Sequence, residues 1–247
     1  NNGSLNDLVK YDDVKNEWVT IYDVYPENPY GVYGDLLIPN ENNHPGTRTY
    51  AKGWTDKDDN IWIFGGTGLD ENGASGRLND LWKYDVISGA WTWMAGAPII
   101  NQIGNYGVKG ITSASNVPGA RTNPATWSDD DNLYLFGGAG YDSQGQVSYL
   151  NDLWKFNLTT NQWTWIDGSE INRQKGKYGT KGEYSTTNYP GGKTSALSWK
   201  DDNGSIWLFG GVGLAIHDAP QVTSDLWNYR PSTGEWAWIS GPNFTSN

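Results

Sequence analysis

Apolar and polar residues alternate over short runs of this chain, and the runs return at a fixed step. In Asn151–Ile166, NDLWKFNLTTNQWTWI, two alternating stretches flank a polar turn, which predicts two half-buried strands joined by a hairpin. The same pattern stands at Asn6–Ile21, Asn79–Met94 and Ser224–Ile239, with starts 73, 72 and 73 residues apart. A second pattern, apolar at every position and closing in Gly-Gly, keeps that step at Ile61–Gly66, Leu133–Gly138 and Ile206–Gly211. A strand without alternation is expected where both faces are covered. Self-similarity at a fixed period predicts a repeat architecture.

Each full unit reads as four strands. The first ends in Trp54, Trp127 or Trp199, and an Asp-rich turn leads to the Gly-Gly strand. A loop such as Thr67–Leu78 follows, then the third strand (LWKYD, LWKFN, LWNYR), a short turn and the fourth (WTWM, WTWI, WAWI). Residues 5–22 hold only the last two strands, in a degenerate copy with Val9 and Thr20 where later copies have Trp. Between units run long connections, 22–46, 95–119 and 167–191, each with a Tyr-Gly pair at one fixed place (Tyr33, Tyr106, Tyr178). All fifteen Trp sit at repeat-equivalent strand positions, so they are expected to form core between units, where large aromatics dominate packing.

Gly-Gly closing an apolar strand, then Tyr84, Phe156 or Tyr229, then Trp91, Trp163 or Trp236, resembles the Kelch repeat of β-propellers. The resemblance covers nearly the whole chain, although this repeat is longer than a Kelch unit of about 50 residues. It implies an all-β fold, a β-propeller of four-stranded antiparallel blades with the first strand innermost. A half-blade at 5–22 and full blades at 47–94, 120–166 and 192–239 would make 1–247 a single segment. Propellers close with about four to eight blades. We therefore expect a piece of a longer array, ahead of a closed four-bladed ring or an assembly of arcs between chains. The PGAR (Pro118–Arg121) and YGxKG (Tyr106–Gly110, Tyr178–Gly182) stretches resemble arrays in large bacterial cell-surface or secreted proteins, which implies an extracellular or cell-surface location. Most Kelch propellers bind partners, and a few are oxidases.

Composition narrows the partners. The formal net charge is −11, which disfavours nucleic acid and anionic membranes, since both call for Lys/Arg patches. No apolar run approaches the roughly 18 residues of a spanning helix. Cysteine is absent and only His44 and His217 occur, so the chemistry of the oxidases in the family this chain resembles, which needs a Tyr–Cys cross-link and a His-bound copper, is not expected, and a three-His zinc site is excluded. The first residue is Asn, and any signal peptide is expected to have been removed or left out.

The expected function is therefore non-enzymatic: binding or assembly with a protein partner, with a carbohydrate-binding module as the alternative, and with further blades or self-assembly as possible partners. In an up-and-down blade, both longer connections leave from one rim, and binding residues concentrate on such loops. Loop tyrosines offer stacking area and a hydroxyl, which makes Tyr25, Tyr30, Tyr141, Tyr149, Tyr184 and Tyr189 candidate ligand contacts. The recurrent Tyr33, Tyr106 and Tyr178 are expected to pin their own loops. No cofactor is called for, except that the hairpin carboxylates Asp56, Asp58, Asp129, Asp131 and Asp201 offer oxygen ligands suited to calcium, or simply make tight turns. The recurrent Asp7, Asp80, Asp152 and Asp225, with Arg48, Arg121 and Lys193, are expected to be structural. The carboxylates should be buried and bonded to backbone.

Overall fold

The structure, a computed structural model, describes residues 6–23 and 29–243. Seventeen strands and no helix occur among them. The N-terminal hairpin pairs β1 (Leu8–Asp12) with β2 (Glu17–Tyr22). Three larger antiparallel sheets follow, each laid out in chain order from one edge to the other. The first holds β3 (Arg48–Thr49), β4 (Lys52–Thr55), β5 (Ile61–Leu69), β6 (Ser75–Asp85) and β7 (Ala90–Ala95). The second holds β8 (Arg121–Thr122), β9 (Ala125–Ser128), β10 (Asn132–Tyr141), β11 (Val147–Asn157) and β12 (Gln162–Asp167). The third holds β13 (Lys193–Thr194), β14 (Leu197–Lys200), β15 (Ile206–Gly213), β16 (Gln221–Arg230) and β17 (Glu235–Ser240). These are propeller blades.

The innermost strand is split in two because the Gly-Gly doublet next to it is a bulge. In the first blade the register shifts between Phe64 and Gly66, with Gly65 at φ 63° and Gly66 at φ 95°. A Cβ on Gly66 would lie 2.6 Å from Thr49 O, and one on Gly65 would lie 2.8 Å from Arg121 O of the next blade. The doublet thus kinks the sheet and lets the neighbouring inner strand approach. The ladder continues beyond it: Thr67 pairs with Arg77 and Leu69 with Ser75. The loop expected over Thr67–Leu78 is therefore mostly strand, because a bulge interrupts a ladder without ending it.

Core lies between blades. Trp54, Trp62 and Phe64 of the first blade pack against Leu133, Leu135, Trp154, Phe156 and Trp163 of the second. Trp127, Tyr134 and Phe136 of the second meet Ile206, Leu208, Trp227, Tyr229 and Trp236 of the third. The hairpin lends Leu8, Ile21 and Tyr22 to a smaller cluster with Trp82, Tyr84 and Trp91. Near the axis the inner strands are stitched directly, Asn123 N to Tyr50 O and Ser195 N to Asn123 O.

Candidate functional site

The recurrent carboxylates sit at the centre of each blade. Asp152 is fully buried and takes both guanidinium nitrogens of Arg121 at 2.7 Å. Its Oδ2 also accepts the Tyr106 hydroxyl at 2.6 Å and the Trp154 indole N–H at 2.7 Å. Arg121 also donates through Nε to Gly119 O and through Nη1 to Gly137 O. Arg48, Tyr33 and Trp82 repeat the arrangement on Asp80. Lys193, Tyr178 and Trp227 repeat it on Asp225. Burial alone would raise the Asp225 carboxyl, yet the Lys193 charge and the donated hydrogen bonds hold it below the usual carboxylate range. Burial beside a carboxylate pushes the Tyr106 phenol well up, so it stays a donor. The partners are side chains, not the backbone donors expected, because the side chain of each third-strand Asp points at the basic residue of its own inner strand. Asp7 is exposed, since its half-blade has no inner strand to supply a cation.

The long connections are clamped to sheet edges. Leu37 N donates to Trp93 O, Gly110 N to Trp165 O and Gly182 N to Trp238 O, all on outermost strands. Each connection thus covers the free edge of the blade it leads into, where unpaired backbone would invite a foreign strand. Its turn-back is locked by an asparagine not among the residues expected to act. Asn116, buried, donates to Ile111 O and Trp163 O, and Asn188 repeats this with Glu183 O and Trp236 O. The recurrence of Asn43, Asn116 and Asn188 was the available signal. The adjoining Tyr-Gly needs glycine: Gly107 has φ 62°, and a Cβ there would meet Asn116 Oδ1 at 2.4 Å. A second latch joins blades, with Asn79 Nδ2 on Pro118 O and Asn151 Nδ2 on Pro190 O.

On the opposite rim, the first Asp of each hairpin organises its own turn. Asp129 accepts from Asp131 N, Asn132 N and the Tyr134 hydroxyl. Asp56 accepts from Asp58 N, Asn60 N and the Trp62 indole. Asp201 accepts from Asn203 N, Ser205 N and the Trp207 indole. The indole bond, ahead of any burial, keeps Asp201 below its ordinary range. Asp58 and Asp131 are exposed. Among the described residues no group of three or more His, Cys, Asp or Glu stands together as a metal site would require.

Residues 117–169, the middle blade with its approach, match the Kelch motif. That blade is similar to a Kelch repeat. Blades one and three carry the same buried carboxylate, Gly-Gly bulge and Trp positions. The solved structure of YjhT superposes with a TM-score of 0.56 at 15% identity, over 95% of this chain and 58% of that one. At that identity the likeness is one of fold, and the chain spans less than two thirds of YjhT. No curated protein matches the sequence.

The propeller framework scatters the candidate tyrosines. Tyr25 lies outside the described residues. Tyr30 sits over the turn at Gly73. Tyr141 and Tyr149 belong to β10 and β11, where Tyr149 faces Ala139 and its carbonyl accepts from Arg173 N. They are not loop residues, because the bulged ladder runs past the Gly-Gly. Tyr189 pairs with Lys177 across its own connection and packs on the core. Among the described candidates, Tyr184 alone reaches the Asp-hairpin rim. Its hydroxyl donates to Asn228 Oδ1, and its ring lies 3.4 Å from the Arg230 guanidinium carbon. There it lines a cavity of about 650 Å³ with Asp201, Asn203, Ser205, Trp207 and Pro231.

That cavity opens on the outward face of the last blade. Trp199 is 45% exposed, while its equivalents Trp54 and Trp127 are 6% exposed. Phe209 is 41% exposed against 0% for Phe64 and 1% for Phe136. At the other end Trp18 is 70% exposed, where Trp163 is 1%. The expectation that every Trp is core thus fails at the two end faces, where no blade is packed against them.

Proposed function

We propose that this chain is a binding or assembly module of a secreted or cell-surface protein, without catalytic activity of its own, that recognises a protein partner through its long connections. One observation carries the reading. The clamped connections hold Leu36, Leu37, Ile38, Val108 and Ile111 out in solvent, on backbone pinned to outermost strands. Apolar groups on a pinned backbone lose little further entropy when a partner covers them, and exposed apolar patches mark interaction surfaces. The recurrent charged groups, by contrast, are consumed inside the blades. Affinity capture from the source organism's surface fraction tests this, comparing the wild type with Leu37→Asp and Ile111→Asp. Both variants should melt like wild type and lose the captured protein. Equal capture by all three forms overturns the reading.

A carbohydrate-binding role is the second reading, and the cavity beside Tyr184 favours it. An indole face, an amide and hydroxyl donors line one hollow there, the mixture that stacks and hydrogen-bonds a sugar ring. A glycan array probed with wild type and Tyr184→Ala decides. Binding lost in the variant supports this role, and an array blank for the wild type removes it.

A further inference from the structure

We propose that two copies of this chain associate head to tail, the N-terminal hairpin of one seating on the outward face of the last blade of the other. The proposal rests on the assembly half of the reading above and names the partner. Within the chain every contact between full blades is the same contact. The Gly-Gly strand of one blade sets its aromatic residues against the third and fourth strands of the next. Phe64 meets Trp163 at 5.7 Å and Trp62 meets Phe156 at 5.8 Å. One blade further on, Phe136 meets Trp236 at 5.6 Å.

Both halves of this contact recur at the two ends of the described chain with no partner among the described residues. Trp207 and Phe209 stand where Trp62 and Phe64 stand, but Phe209 is exposed. Tyr11 and Trp18 stand where Phe156 and Trp163 stand, and both are exposed. The hairpin aromatics are already arranged for the task. Tyr11 and Trp18 lie 5.3 Å apart, beside 5.1 Å for Phe156 and Trp163. Seating the hairpin of a second copy on the last blade would therefore place its Trp18 on Phe209 and its Tyr11 on Trp207, repeating contacts the fold already makes.

The cavity at this face fits a polypeptide occupant. Its counterpart between the first two blades, under Asp56 and Trp62, is closed down to about 160 Å³ by Asp130, Asp131, Leu158 and Thr159 of the neighbouring blade. The larger hollow beside Trp207 is the same groove with no neighbour seated in it. The contact is heterologous, since the two surfaces that meet are different patches of the same chain.

Sedimentation and light scattering on the whole chain test the idea with Trp18→Asp and Phe209→Asp. The wild type should run above the monomer mass, and each variant alone should run as a monomer. Mixed in equal amounts the two variants should recover a species of two chains, because each retains the face that the other has lost. A wild type that stays monomeric at every attainable concentration overturns the proposal. So does association that survives in either variant alone, or a mixture that stays monomeric. Tyr11→Glu and Leu197→Glu, also at exposed positions, repeat the experiment should either first variant lose its near-UV dichroism. A wild type that stays monomeric yet still captures its partner through Leu37 and Ile111 would sink this proposal and leave the protein-binding reading standing. The reverse pattern would do the opposite.

Discussion

Tyr106 donates its hydroxyl to Asp152 at 2.6 Å across 46 positions of sequence, tying a long connection to the centre of the blade it enters. Arg121 completes the charge balance from the innermost strand. One buried carboxylate thus binds three parts of the repeat, namely inner strand, third strand and connection.

Removing the cation should therefore cost more than removing the phenol. Arg121→Met leaves Asp152 buried and uncompensated, a change worth about 3–5 kcal/mol. Tyr106→Phe removes a single hydrogen bond to a charged group, worth roughly 1.5–3 kcal/mol. Arg121→Lys should fall below the Met variant, since Lys193 fills the same place in the third blade. Urea unfolding of the three variants gives the order, and a Met variant as stable as the Phe variant contradicts the hub.

The bulge glycines offer an internal control. Gly65 and Gly210 share a left-handed backbone, φ 63° and 66°, so alanine strains both by about 1–2 kcal/mol. A Cβ at Gly65 also meets Arg121 O of the next blade at 2.8 Å, whereas at Gly210 the nearest atom is Thr223 O at 3.1 Å. Gly65→Ala should destabilise more than Gly210→Ala in parallel thermal melts. Equal losses would mean that the close approach of inner strands does not govern this position.

The repeat, the four strands of each blade and the indole core were legible in the sequence because each leaves a mark at every copy. Trp154 and Trp227 are buried for the same reason and at the same register. What could not be read is where polar partners go. Asn116 finds Trp163 O on an outer strand 47 positions away, and a carbonyl acceptor has no residue type to betray it. The extension of β5 past Gly66 was hidden because Gly-Gly marks a turn and a bulge equally well. The loop position of Tyr184 predicts the long-loop rim, yet its connection doubles back along the outer strand, Gly182 N on Trp238 O and Ser185 N on Trp236 O, and delivers it to the opposite rim.

His44 predicts a pH dependence. Burial lowers its pKa, so the folded protein holds the imidazole neutral where the unfolded chain, near 6.5, begins to protonate. The sign follows: the unfolded state binds the extra proton, so stability is full above about pH 6.5 and falls as pH drops through the folded value. The equivalent position in the second blade is Val117. His44→Val should flatten the decline in unfolding free energy below that pH, and an unchanged slope would place its origin elsewhere.

Asp129 and Asp131 separate turn-making from cation binding. Asp129 takes N–H and O–H donors from its own hairpin, while Asp131 is exposed and lends its backbone N–H to Asp129. If the hairpin serves as a turn, Asp129→Ala loses a local cap worth about 0.5–2 kcal/mol. Asp131→Ala should stay within about 0.5 kcal/mol, as surface changes do. The Asp129 carboxyl is held below its usual range: burial opposes this, but the Tyr134 hydroxyl and the turn amides outweigh it. Its contribution is therefore present above about pH 3.9 and is lost as pH falls through the folded value. A calcium site would behave differently, with both substitutions costing alike and only when calcium is present. Melting curves of the two variants, with calcium and with chelator, distinguish the cases, and a calcium-dependent loss at Asp131 would overturn the turn assignment.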